Sequence, residues 1–153
     1  MTTDMKFGRA LPSLAIMLLF IVPTLSQDSW EKVENPFFSF SIPPALKKTK
    51  ARGVDSFVEE YVDTEIEVVF DYGMYSNNFG DWSQEVKFES LTIDGKSARI
   101  GTAKEEFHKG FPFSTQVYIK LDKHTALSMF AACRSEKEVE VARKIFETIV
   151  FKK

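Results

Sequence analysis

Between Phe37 and Cys133 the chain runs in short segments that alternate apolar and polar residues, each cut off by turn formers. A side-chain period of two, repeated this often, admits little besides antiparallel sheet. In the segment 37–42 Phe38, Phe40 and Ile42 share one face, Ser39 and Ser41 share the other, and Pro43-Pro44 stops the strand. Further strands are expected over 57–62 and 65–72, joined through Asp63-Thr64, with Ile66, Val68, Phe70 and Tyr72 aligned on one face. Two more, over 85–93 and 97–107, meet at Asp94-Gly95, a dipeptide suited to the positive φ angles of a type I′ hairpin. The last two are expected over 115–121 and 126–133.

After Cys133 the period changes. Ser135 and Glu138 form a capping box, and Val139, Ala142, Phe146 and Ile149 recur at spacings of three and four, with Val141 and Ile145 widening the stripe. The expected fold is therefore α+β: an antiparallel sheet of about six or seven strands with a C-terminal amphipathic helix packed on it. Stability must come from packing, because Cys133 is the only cysteine and a lone thiol closes no internal disulfide. It shares a strand face with Leu127, Met129 and Ala131, where a small buried hydrophobe belongs.

The first 26 residues follow a different logic. Lys6 and Arg9 precede an apolar run from Ala10 to Val22, and Pro23-Thr24-Leu25-Ser26 ends it with small residues. This is the layout of a secretory signal peptide, whereas a membrane span would need roughly 20 apolar residues. The expectation is a signal peptide over 1–26, a single domain over 27–153, no stable membrane span after cleavage, and a secreted or periplasmic location.

No motif assigns chemistry. His108 and His124 lie in polar connectors without a second ligand at metal-binding spacing, and no Gly-x-Ser-x-Gly elbow occurs. Glu59, Glu60, Asp63, Glu65, Glu67 and Asp71 crowd one hairpin without the order of a calcium loop, so they read as the solvated face of a half-buried sheet. Lys47, Lys48, Lys50 and Arg52 read as a soluble connector that can oppose those charges. A net charge of −2 argues against nucleic acid as a partner. No catalytic residue, metal ligand or cofactor is assigned.

One segment loses all periodicity while collecting aromatics. Tyr72, Met74, Tyr75, Asn77, Asn78, Phe79 and Trp82 stand there among Gly73 and Gly80. Rigid aromatics beside adaptable Asn suit a recognition loop, and the same side chains could instead fold back and plug one end of the sheet.

The opening Phe38-Ser39-Phe40-Ser41-Ile42-Pro43, the hairpin Ile93-Asp94-Gly95-Lys96-Ser97-Ala98 and the closing Ile145-Phe146-Glu147-Thr148-Ile149-Val150-Phe151 are similar to the Mog1/PsbP-like group over residues 36–151. Pro44-Ala45-Leu46 stands where that group often carries Gly-Trp. The resemblance implies an antiparallel sheet flanked by helices, in a superfamily of mostly non-enzymatic accessory, binding and secreted proteins. The expected function is an exported binding or accessory module whose partner is a protein or a small apolar ligand. A carrier of a small hydrophobic ligand is the alternative, since 15 Phe and a sheet curled under one helix could leave an apolar pocket. An envelope hydrolase is a third class. N-terminal sequencing of the exported product is expected to begin within a few residues of Gln27; a product that retains Met17 would contradict the leader.

Overall fold

The structure is a computed structural model and describes residues 29–51, 53–80, 82 and 85–153. The leader expected over 1–26 lies outside the described residues. Strands β1 (Glu31–Glu34), β2 (Phe38–Ile42), β3 (Lys47–Lys48), β4 (Phe57–Val62), β5 (Ile66–Gly73), β6 (Lys87–Ile93), β7 (Lys96–Ala103), β8 (Phe113–Lys120) and β9 (Ala126–Cys133) are followed by helix α1 (Glu136–Glu147) and strand β10 (Val150–Phe151). They form two sheets. A seven-stranded antiparallel sheet has the order β3-β4-β5-β9-β8-β7-β6, and a three-stranded sheet has the order β1-β2-β10.

The α+β class and the C-terminal helix agree with expectation, and the division into two sheets corrects it. The first alternating segment, β2, does not join the main sheet; it pairs with β1 and with β10. The seventh place in the main sheet is taken by β3, a two-residue strand inside the basic connector. Strand β7 also ends earlier than its pattern suggests, at Ala103, because Lys104 onward leaves the sheet.

Turn chemistry sets the hairpins. Asp94 and Gly95 both take positive φ, 47° and 73°, as a type I′ turn requires. Between β4 and β5 the Asp63 carboxylate accepts from the N–H of Glu65 at 2.7 Å and of Ile66 at 2.8 Å, while Asp63 N–H donates to Ile66 O at 3.0 Å. A side chain that satisfies its own turn replaces the glycine this hairpin lacks.

One face of the large sheet is filled. Ile66, Val68 and Phe70 of β5, Leu127, Met129 and Ala131 of β9, and Val117 and Ile119 of β8 are buried against Phe38, Phe40 and Ile42 of β2 and against Val139, Ala142, Ile145 and Phe146 of α1. Each such large side chain contributes roughly 1.5 to 3 kcal/mol on leaving water. Cys133 lies in this layer, fully buried, and burial with the nearby Glu138 charge pushes its thiol up to about 12. It therefore stays a thiol and behaves as a small hydrophobe. The helix begins at the N-cap Ser135, whose hydroxyl accepts from Lys137 N–H at 3.2 Å and donates to the Glu138 carboxylate. Among the described residues no helix is long and apolar enough to cross a membrane.

Docking of the helix has a direct test. Phe146→Ala is expected to cost about 3 to 5 kcal/mol in urea unfolding, and Glu140→Ala on the exposed face to stay within about 0.5 kcal/mol. Equal effects would mean that the stripe does not face the sheet.

Candidate functional site

The second face of the large sheet is built from rows set by strand register. One row runs Val58, Asp71, Ser128, Tyr118 and Arg99 across β4, β5, β9, β8 and β7; the next runs Glu60, Val69, Phe130, Gln116, Gly101 and Phe88, reaching β6. In each strand these residues alternate with the core layer. An antiparallel sheet commonly leaves such a face to water. Here two connections cover much of it.

The connection after β5 is pinned by polar contacts. Ser76 Oγ lies 2.9 Å from the carbonyl oxygens of both Asp71 and Ala126, Gln116 Nε2 donates to Asn77 O at 2.7 Å, and Asn77 Oδ1 accepts from Gly80 N–H at 2.8 Å. Phe79, at φ 60°, then drops its ring onto Gly101. A Cβ at Gly101 would stand 2.7 Å from Phe79 Cε1 and 3.1 Å from Phe88 Cε1, so the absence of a side chain there is what lets the loop close. Arg99 stacks its guanidinium 3.7 Å from the Phe88 ring centroid, covering the same contact from solvent.

Beyond Phe79 the chain brings Trp82 against rings from two other elements. Its centroid lies 5.4 Å from that of Phe107, in the connection between β7 and β8, and 6.2 Å from that of Phe130 on β9; Phe107 and Phe130 are 5.5 Å apart and nearly perpendicular. Beside this aromatic wall opens a cleft of about 390 Å³. Its floor is Val69, Asp71, Ser128 and Gln116, and its far rim is Val58 and His108. His108 Nδ1 meets the Glu67 carboxylate. The Asp71 Oδ1 atom is buried and has no hydrogen-bond partner. Among the described residues no group of three or more His, Cys, Asp or Glu side chains could hold a metal ion.

The loop residues singled out from sequence separate into three sets. Asn77 and Trp82 line the cleft. Phe79 is buried beneath the loop, and Tyr72 points to the opposite side, where its ring stacks on Phe37 at 4.3 Å. Met74, Tyr75 and Asn78 face solvent, the first two 60% and 72% exposed. The segment is thus a cover over the outer face with an exposed tip, and its side chains are divided among three surroundings.

The cleft also draws on residues that sequence reasoning passed over. From sequence, Asp71 belongs to a solvated acidic face, Phe107 ends a strand, and Gln116 and Phe130 fall within the strands expected over 115–121 and 126–133 without a role of their own. The usable signal was phase: Phe130 and Gln116 occupy the strand positions opposite the core, where a large ring or a buried amide needs a partner. The acidic hairpin likewise does not form a single solvated face. Glu59 sits on the inner edge, where it pairs with Lys48 and accepts from Tyr61 Oη at 2.8 Å, so the connector does supply an opposing charge.

A second groove of about 580 Å³ lies where the first turns of α1 meet β6, β7 and β8. Lys87, Lys104, Glu136 and Glu140 surround it, and Lys104 pairs with Glu136 at 3.3 Å across exposed surface. Such a pair contributes at most about 1 kcal/mol, and a rim this charged stays hydrated. Its apolar lining is Ala103, Phe113 and Val139, without the cluster of rings found on the outer face.

If the cover closes through Gly101, Gly101→Ala is expected to destabilise the protein by about 1 to 3 kcal/mol, the cost of overpacking. Tyr75→Ala at the exposed tip should remain within about 0.5 kcal/mol in the same urea titration. The reverse order would place the tip, and not Phe79, in the packed layer.

Set beside known proteins, the chain matches no family model and no curated protein, which leaves the chemistry of the cleft as the guide to what it does.

Proposed function

We propose that the chain is an exported, non-enzymatic binding module that holds a small ligand with an apolar body in the outer-face cleft. One observation carries the reading: on the outer face of the large sheet a cleft of about 390 Å³ lies beside the rings of Trp82, Phe107 and Phe130. That size falls in the range of small-molecule sites, which pair apolar walls with a few placed polar groups. Asp71, Ser128 and Gln116 are such groups. The cover is held by Ser76, Asn77 and Phe79, so the walls exist before any ligand arrives, which lowers the ordering cost of binding. A Mog1/PsbP-like frame is consistent with the C-terminal helix and with the Asp94-Gly95 hairpin.

A second reading rests on Met74 and Tyr75, whose exposure favours a protein partner at the loop tip. Native mass spectrometry of protein purified from its own source separates the two. A copurifying small molecule that is lost in Trp82→Ala supports the cleft. A bare domain that copurifies a protein, released by Tyr75→Ala with Trp82→Ala silent, would replace the cleft reading with the loop tip.

A further inference from the structure

We infer that strand β6 is a docking edge for a second copy of this chain, which adds its own β6 antiparallel about a two-fold axis at Phe88. Strand β6 ends the seven-stranded sheet, with β7 on one side and no strand on the other among the described residues. Lys87, Phe88, Glu89, Ser90 and Thr92 are all exposed, Phe88 by 42% despite its large apolar ring. The remaining sheet edges offer less. Strands β3 and β10 have two residues each, and β1 has four, with Lys32 already ion-paired to Glu34 in the same strand.

The hairpin turn fixes which backbone groups of β6 face outward. A two-residue type I′ turn makes its flanking residues, here Ile93 and Lys96, a hydrogen-bonded pair. Leu91, Glu89 and Lys87 therefore turn their N–H and C=O toward β7, while Thr92, Ser90 and Phe88 turn theirs away from it. Such a row is a template for a further strand.

The side chains select the occupant. Charges on an edge usually keep other strands away. In β6 they are self-complementary: an antiparallel copy centred on Phe88 sets Lys87 opposite Glu89 of the second copy and Glu89 opposite its Lys87, with the two Phe88 residues as a hydrogen-bonded pair. Both charged residues stand on the helix face of the sheet, since Glu89 pairs with Arg143 of α1 at 2.7 Å and Lys87 lines the groove beside Glu136 and Glu140. The opposite charges thus lie on one side of the seam. On the outer face Phe79, 5.1 Å away between centroids, and the Arg99 guanidinium, 3.7 Å from the ring, already order Phe88, so pairing with its copy costs little further entropy. Moving the axis to Ser90, the next outward-facing residue, would set Glu89 against Leu91 and Lys87 against Ile93 and leave both charges unmatched. The inference is independent of the cleft, none of whose lining residues lies on β6.

Sedimentation equilibrium of the chain as purified from its source is expected to show a reversible dimer at micromolar concentrations, as a small interface of one strand from each copy would give. Lys87→Glu places like charges opposite each other at both ends of the pairing and should weaken the dimer about tenfold. Adding Glu89→Lys to it restores opposite signs and should recover most of that loss. Ser90→Pro removes an outward N–H without touching the bonds to β7, so it should abolish the dimer while the circular dichroism spectrum stays unchanged. A monomer throughout the micromolar range overturns the inference. So does a dimer that Lys87→Glu leaves intact, or a double variant that associates no better than Lys87→Glu alone. The charge reversal and its rescue decide the matter even if the proline variant does not fold.

Discussion

The contact between β2 and β5 holds the domain together. The Phe38 ring meets Phe70 at 4.9 Å and the Phe40 ring meets it at 5.7 Å, both edge to face. With a single cysteine and no disulfide, these rings are what fasten the small sheet to the large one. Much else follows from that docking. Strand β2 carries β10 beside it, and Ser41 N–H donates at 2.8 Å to Thr148 Oγ1 at the C-cap of α1. Phe151 N–H then donates to Asp94 Oδ2 at 2.8 Å, tying the end of the chain to the turn between β6 and β7. The helix end, the small sheet and a hairpin of the large sheet are thus one connected unit built on the β2–β5 contact.

With β2 and the buried stripe of α1 packed on the inner face, the outer face is held by a loop instead of by a layer of regular elements. Packing there is thinner and depends on fewer residues. Phe79 sits in the space left by Gly101, while Ser76 and Asn77 fasten the cover to β5, β9 and β8 through backbone carbonyls and the Gln116 amide. Hydrogen bonds of this kind are directional, so they set where the loop lies more sharply than apolar contact alone would.

Much of this fold was legible in the chain and part was not, and the division follows the range of the interactions. The alternation in 65–72, that in 126–133 and the Asp94-Gly95 hairpin depend on near neighbours and appear in the structure with the expected phase. So does the helix, because cap and stripe lie within a few turns of one another. Strands β3 and β10 are two residues long, too short for any period to show, and exist only because β4 and β2 offer an edge. The membership of β2 was beyond the sequence for the same reason: its partner β10 lies more than a hundred residues later, and alternation says which residues share a face but not which sheet the strand joins.

The cleft divides along the same line. Tyr72, Met74, Tyr75, Asn77, Asn78, Phe79 and Trp82 were visible as an aperiodic aromatic run, because composition and loss of period are local properties. The run by itself could not say that Phe79 is buried or that Tyr75 faces water, whereas the alternation over 65–72 already puts Tyr72 on the core side. The burial of Phe79 was decided by Gly101 on β7, far from the loop in sequence. By itself the sequence determined an antiparallel α+β domain, its hairpin at Asp94-Gly95, the capped helix and an apolar-rich loop after β5, since each needs only neighbouring residues. The tertiary structure alone decided that Asp71, Trp82, Phe107, Gln116 and Phe130 meet around one cleft, because strand register and loop closure act between residues that share no local pattern.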